Sequence, residues 1–119
     1  MDPALAPVIR AAQDSDGDGL AALIFGCWAE YPGCVIDARE NPEFWQIATW
    51  SSDQGGRFWV AEDRGRIVAS AGLLPTADRA GQELAKLYVA REARRQGLAG
   101  RLIAMVEALD PEDARLRFF

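Results

Sequence analysis

The stretch Glu83 to Met105, E-L-A-K-L-Y-V-A-R-E-A-R-R-Q-G-L-A-G-R-L-I-A-M, constrains this chain more than any other. Leu84, Ala85, Leu87, Tyr88 and Val89 form a nearly continuous apolar run, which predicts a strand covered on both faces. Leu98, Leu102, Met105, Val106 and Leu109 recur at three- and four-residue steps, the stripe of a single helix. Asp110-Pro111 ends that pattern, because proline disfavours helical geometry in the residue before it. Between strand and helix lies Arg94-Arg95-Gln96-Gly97-Leu98-Ala99-Gly100. Gly97 and Gly100 have no Cβ, so a bulky anion can approach the backbone closely. The first four N–H groups of a helix lack internal partners, and Arg94, Arg95 and Arg101 place positive charge beside them. Strand, glycine turn and helix start in this order suit a pyrophosphate, and so a phosphate-bearing cofactor.

Composition narrows the partners of such a site. The net charge is −5, which argues against bulk nucleic-acid binding. The segment Arg91 to Arg101 runs the other way, with four Arg against one Glu for a local +3. A basic patch on an acidic chain fits a small anion better than a polyanion. No apolar run approaches the ~20 residues that span a bilayer, so no membrane association is expected. The start Met1-Asp2-Pro3-Ala4-Leu5-Ala6-Pro7 has neither the basic nor the long apolar region of a signal peptide. Cys27 and Cys34 without any histidine make a zinc site improbable. Cys27 is expected to pack in a helix and Cys34 to sit exposed after Pro32-Gly33. A cytoplasmic location with reduced thiols is the expectation. Asp14-Ser15-Asp16-Gly17-Asp18-Gly19 begins like a calcium loop, but the twelfth position, where a bidentate Glu is needed, is Phe25. It reads instead as a helix-initiating turn with an Asp N-cap.

With 119 residues, half of them hydrophobic, one domain with a modest core is expected over 1–119. Pro7 to Ala12 is a candidate first strand. Leu20 to Tyr31 carries Leu20, Leu23, Ile24, Cys27 and Trp28 at helical spacing and closes at Pro32-Gly33. Pro42 to Trp50 predicts a second helix with Asn41 as N-cap. Arg57 to Glu62 and Arg66 to Leu74 read as strands around Asp63-Arg64-Gly65, followed by a turn at Pro75 to Gly81 and a strand at Gln82 to Val89. The order predicts an α+β, or mixed α/β, domain whose mostly antiparallel central sheet is flanked by helices.

Arg94-x-x-Gly97-x-Ala99 resembles the Gln/Arg-x-x-Gly-x-Gly/Ala acyl-CoA signature of the GNAT superfamily of N-acetyltransferases, and Leu87-Tyr88-Val89 is similar to that family's cofactor-facing strand. The resemblance extends more loosely from about Val8 to the C-terminus. It implies a GNAT-like acyl-CoA N-acyltransferase fold and transfer of an acetyl group from acetyl-CoA to a primary amine of a small molecule or protein. It places the cofactor on Leu87, Tyr88, Val89, Arg94, Arg95, Gln96, Gly97, Leu98, Ala99, Gly100 and Arg101, with no metal. In members resembling histone acetyltransferases a Glu precedes the cofactor-facing residues by four positions, and Glu83 stands at that spacing from Leu87. A carboxylate there could take the proton that an ammonium must lose before it attacks a thioester. On a regular strand Glu83, Ala85, Leu87 and Val89 would share one face.

The family walls its acceptor side with the first two helices. Here that region holds Trp28, Glu30, Tyr31, Asp37, Glu40, Glu43, Phe44, Trp45 and Trp50, and aromatics beside carboxylates suit a cationic amine. The end, Ala114-Arg115-Leu116-Arg117-Phe118-Phe119, looks like the start of the family's fifth strand. The helix and two strands that usually follow, and the tyrosine they commonly supply to protonate the leaving thiolate, have no match. The chain is therefore expected to be C-terminally short, as a fragment, a naturally shortened homologue or one part of a pair, and its apolar end to favour a homodimer or poor solubility without a missing partner. Two other readings stay open. One is a noncatalytic acyl-CoA-binding or partner-dependent degenerate domain. The other is a phosphate-binding module of unrelated fold.

Overall fold

The computed structural model describes residues 7–34, 37–78, 80–109 and 117–118. Five strands form one sheet in sequence order: β1 (Val8–Ala11), β2 (Arg57–Asp63), β3 (Arg66–Pro75), β4 (Gln82–Val89) and β5 (Arg117–Phe118). The first four pair antiparallel, and β5 runs parallel to β4. Helices α1 (Gly17–Trp28) and α2 (Ile47–Asp53) cover one face. Helix α3 (Leu98–Leu109) covers the other. This is the expected α+β sandwich, with one core cluster on each side of the sheet.

On the α3 side Leu98, Leu102 and Val106 are buried against Trp59, Ala71, Leu73 and Leu84. On the opposite side Leu20, Ile24 and Cys27 of α1 meet Phe44, Ile47, Phe58 and Val60. The β2–β3 hairpin turns on Arg64 and Gly65, with φ of 54° and 79°, the two positive values that a twist-matched two-residue turn requires. Helix α3 ends at Leu109, so Asp110-Pro111 and most of Ala114–Phe119 lie outside the described residues.

Three local expectations are corrected. First, α1 begins at Gly17, three residues before Leu20, after a 3-10 turn at Asp14–Asp16. Asp16 occupies the cap position, but its carboxylate takes Arg10 at 2.9 Å and the Gln13 N–H at 2.8 Å instead of capping α1. Asp14 accepts from the Thr49 N–H and hydroxyl, and Asp18 from the Trp45 indole. Second, Pro42–Trp50 is not one helix. A 3-10 segment, Pro42–Gln46, breaks at Gln46 before α2 starts. Asn41 precedes Pro42 but makes no cap bond; its amide donates to the Asp37 carbonyl.

Third, β4 is not regular. Ser70 pairs with Tyr88, yet Gly72 pairs with Ala85, so Lys86 and Leu87 together oppose Ala71. Lys86 takes a φ of 52°, uncommon for a side-chain-bearing residue. The buried Ser70 hydroxyl donates to its carbonyl at 2.8 Å and holds it there. The bulge resets the alternation. Leu84, Leu87 and Val89 all pack on the α3 side, and Tyr88 on the α1 side. The Lys86 ammonium lies over the Phe44 and Trp50 rings. Glu83, next to Leu84, therefore falls by alternation on the α1–α2 face, not on the face of Leu87 and Val89.

Candidate functional site

On its outer side β4 neighbours β5. Among the described residues, β5 pairs with β4 through Glu83–Arg117 and Leu84–Phe118. Beyond Leu84, no described residue pairs with that edge. Its hydrogen-bonding direction follows from the inner side. The Ala90 N–H donates to the Val68 carbonyl at 2.8 Å, one residue past the Ala69–Val89 pair. Bonding direction alternates along an antiparallel strand, so the Val89 N–H points away from β3, on the outer edge of β4.

The turn after β4 adds further donors. Arg91–Ala93 is a short 3-10 turn that buries Ala93. Arg95 and Gly97 then take φ of 66° and 71°. The first helical bond of α3 runs from the Arg101 N–H to the Gly97 carbonyl at 3.0 Å. Among the described residues, the N–H groups of Arg95, Gln96, Gly97, Leu98, Ala99 and Gly100 have no acceptor. A Cβ added at Gly97 or Gly100 would meet nothing within 4 Å. The turn therefore presents backbone donors and is unobstructed at two glycines, an arrangement suited to an anion.

The predicted side chains divide. Arg95 and Gln96 are exposed beside these donors, Ala99 is half-buried, and Leu98 is core. Arg101 is exposed and donates to the Pro7 carbonyl at 3.3 Å. Tyr88 lies across the sheet, its hydroxyl accepting from the Trp28 indole at 2.9 Å. Arg94 is engaged by protein groups. Its guanidinium holds Glu30 of the segment after α1 through bonds of 2.7 and 2.6 Å, and its Nε donates to the Val89 carbonyl at 3.0 Å. Hydrogen bonding to Arg94 lowers the pKa of the Glu30 carboxyl, and the same bonds raise that of the guanidinium. The Cys27 thiol reaches the Val89 carbonyl as well, at 3.6 Å. Cys27 is thus buried as expected, and Cys34 is exposed.

On the α1–α2 face Glu83 is half-buried, set between Leu74 of β3 and Arg117 of β5 in the register. The aromatic wall already contains a cation. Lys86 lies 5.4 Å from the Phe44 centroid and 5.6 Å from that of Trp50, with the Glu43 carboxylate at 3.5 Å. Asp37 is paired with Arg39, and Tyr31 stands exposed. The sequence reading missed Lys86, whose position depends on the bulge. It also missed the Glu30–Arg94 contact, which joins residues far apart in the chain. A separate cavity of about 710 Å³ lies between α1, the β2–β3 hairpin and Ala90–Glu92. It includes no residue of β4 or of Arg95–Gly100.

A family model described as "Acetyltransferase (GNAT) domain" matches residues 54–118. This chain belongs to the GNAT acetyltransferases. The matched segment contains β2 to β5, the bulged strand and the glycine turn. The chain is 40% identical over 62 residues to rat N-acetyltransferase 8, a match covering 49% of this chain and 28% of that protein. It thus spans under a third of that relative's length. Among solved structures, a GNAT-family acetyltransferase from Staphylococcus aureus Mu50 superimposes with a TM-score of 0.77 at 24% identity, over 90% of this chain and 67% of that one. A predicted acetyltransferase from Clostridium acetobutylicum, solved with acetyl-CoA, gives 0.73 at 15% identity, over 96% and 80%. At those identities the GNAT likeness of the structures is one of fold. Among the described residues, no helix is long and apolar enough to cross a membrane.

Proposed function

We propose that this GNAT chain transfers an acetyl group from acetyl-CoA to a primary amine. The observation that carries the reading is the outward-facing Val89 N–H at the end of β4, followed by the N–H groups of Arg95–Gly100, which have no acceptor among the described residues. One such surface can hold a peptide-like arm along the strand and a pyrophosphate at the turn. The Clostridium neighbour, solved with acetyl-CoA, supports the choice of donor. Acetyl-CoA supplies the activated thioester. The N–H groups of Arg95 to Gly100 bind the pyrophosphate, with Arg95 adding charge. The Val89 N–H, on the outer edge of β4, polarises the thioester carbonyl; a fixed donor of this kind is worth about 3 kcal/mol in a transition state. Glu83, on the α1–α2 face, accepts the proton of the incoming ammonium, directly or through water. The amine nitrogen then bonds to the acetyl carbon as the carbon–sulfur bond breaks, the nitrogen gives up its second proton through solvent to the departing thiolate, and CoA leaves as the thiol.

The test has two arms. Melting is compared with acetyl-CoA, ATP and NAD, and thiol release is followed with a panel of amines. Acetyl-CoA alone should raise the melting temperature strongly, by about 2.7 kcal/mol of stability at a hundredfold excess over Kd. An equal shift with ATP would contradict the cofactor assignment. Binding without thiol release from any amine would favour a noncatalytic acyl-CoA-binding domain.

A further inference from the structure

Arg94 carries the first position of the signature, and a cation beside a glycine turn is easily read as a phosphate ligand. Its surroundings point elsewhere. Both terminal nitrogens bond Glu30, at 2.7 and 2.6 Å, in the two-pronged geometry that fixes a guanidinium plane. Nη2 also donates to the Cys27 sulfur at 3.8 Å, and Nε bonds the Val89 carbonyl at 3.0 Å. That carbonyl is also approached by the Cys27 thiol at 3.6 Å. Its peptide partner, the Ala90 N–H, is fixed on Val68 at 2.8 Å. The peptide joining Val89 to Ala90 is therefore gripped from both ends. The adjoining peptide carries the Val89 N–H proposed to polarise the thioester.

We infer that Arg94 is a positioning residue: Glu30 holds its guanidinium, and the guanidinium holds the end of β4 and so the aim of the Val89 N–H. Glu30 acts only through Arg94. The inference rests on the proposed acetyl transfer, but it makes a different demand. A phosphate ligand matters only for donors that carry phosphate. A strut on Val89 matters for every thioester donor. Freeing the guanidinium by neutralising Glu30 would tighten coenzyme binding if Arg94 were a phosphate ligand, and would impair turnover if it is a strut.

The experiment uses Glu30→Gln, Arg94→Gln and the double variant. Two donors are compared: acetyl-CoA and S-acetyl-pantetheine, which has the thioester and the pantetheine arm but no pyrophosphate. Amide exchange at Ala90 is followed by NMR without any ligand. Glu30→Gln should lower kcat by about 5- to 10-fold with both donors and leave the Kd for CoA within twofold, with faster exchange at Ala90. The Arg94→Gln side chain keeps one donor for the Val89 carbonyl and should lose no more than Glu30→Gln. The double variant should match Arg94→Gln. Tighter CoA binding in Glu30→Gln, or a defect confined to acetyl-CoA, would overturn the inference. Unchanged exchange at Ala90 would overturn it as well. If the wild-type chain turns over neither donor, the proposed function fails, and the Ala90 exchange still decides whether the strut exists.

Discussion

Gly100 gives an unusual prediction, because stability and ligand affinity should move in opposite directions. It is the third residue of α3, its φ is not positive, and an added Cβ would meet nothing within 4 Å. Glycine in a helix costs about 0.5–1 kcal/mol relative to alanine, through lost backbone freedom. Gly100→Ala should therefore stabilise the free protein by about 0.5 kcal/mol, near the low end because the site is in the first turn. In a domain of this size that raises Tm by about 2 °C. The new methyl, however, stands in the space above the donors of the turn. If the pyrophosphate needs that space, affinity for CoA should fall about tenfold, or about 1.4 kcal/mol. At a ligand concentration a hundred times the original Kd, stabilisation by CoA should then drop from about 2.7 to about 1.4 kcal/mol. Thermal melts of both proteins with and without CoA read all four quantities. A variant that melts higher and keeps the full CoA shift would refute the placement of the pyrophosphate. One that melts lower would refute the reading of Gly100 as sterically free.

Other residues give independent checks. Glu83→Gln should lower kcat by about 100-fold and leave CoA affinity nearly unchanged, measured by steady-state kinetics and calorimetry. Gly17→Ala should destabilise by about 1–3 kcal/mol in a urea melt, since its Cβ would fall 2.3 Å from the Trp45 side chain and 2.8 Å from its backbone. Asp16 is held as a carboxylate by Arg10 and the Gln13 N–H, which lowers its pKa in the folded state. The unfolded chain then binds the proton more readily, so this stabilisation is complete above the unfolded value near pH 4 and disappears as the pH falls through the lower folded value. Asp16→Asn should lower stability at pH 7 and flatten the acid limb of a stability–pH curve; an unchanged limb would show that Asp16 does not contribute to it.

The strand–turn–helix unit was legible because each of its parts leaves a local mark. Apolar runs, the two glycines and the Leu98–Leu102–Val106 stripe each report their own conformation. The hairpin at Arg64-Gly65 and both helical faces were readable for the same reason. What escaped depends on contacts between distant segments. The bulge at Lys86 carries no glycine to announce it, and it is held by the hydroxyl of Ser70 across the sheet. It moves Glu83 to the opposite face from Leu87 and Val89. The early start of α1 seats Gly17 close against Trp45, a contact from a distant segment. Arg94 was legible as a residue type but not as a contact. Only the fold shows that Glu30, 64 residues earlier, takes up its charge.

The most direct test of the central claim is a titration of ¹⁵N-labelled protein with acetyl-CoA, followed by amide chemical shifts. Binding at the β4 edge and the glycine turn predicts the largest perturbations at Val89 and at Arg95 through Gly100, where N–H groups face the outer edge of β4 and the turn. Gly19, Ala22 and Gly26, which line the separate cavity, should change little. Perturbations centred on those three glycine and alanine amides, with Val89 and Arg95–Gly100 unmoved, would contradict it.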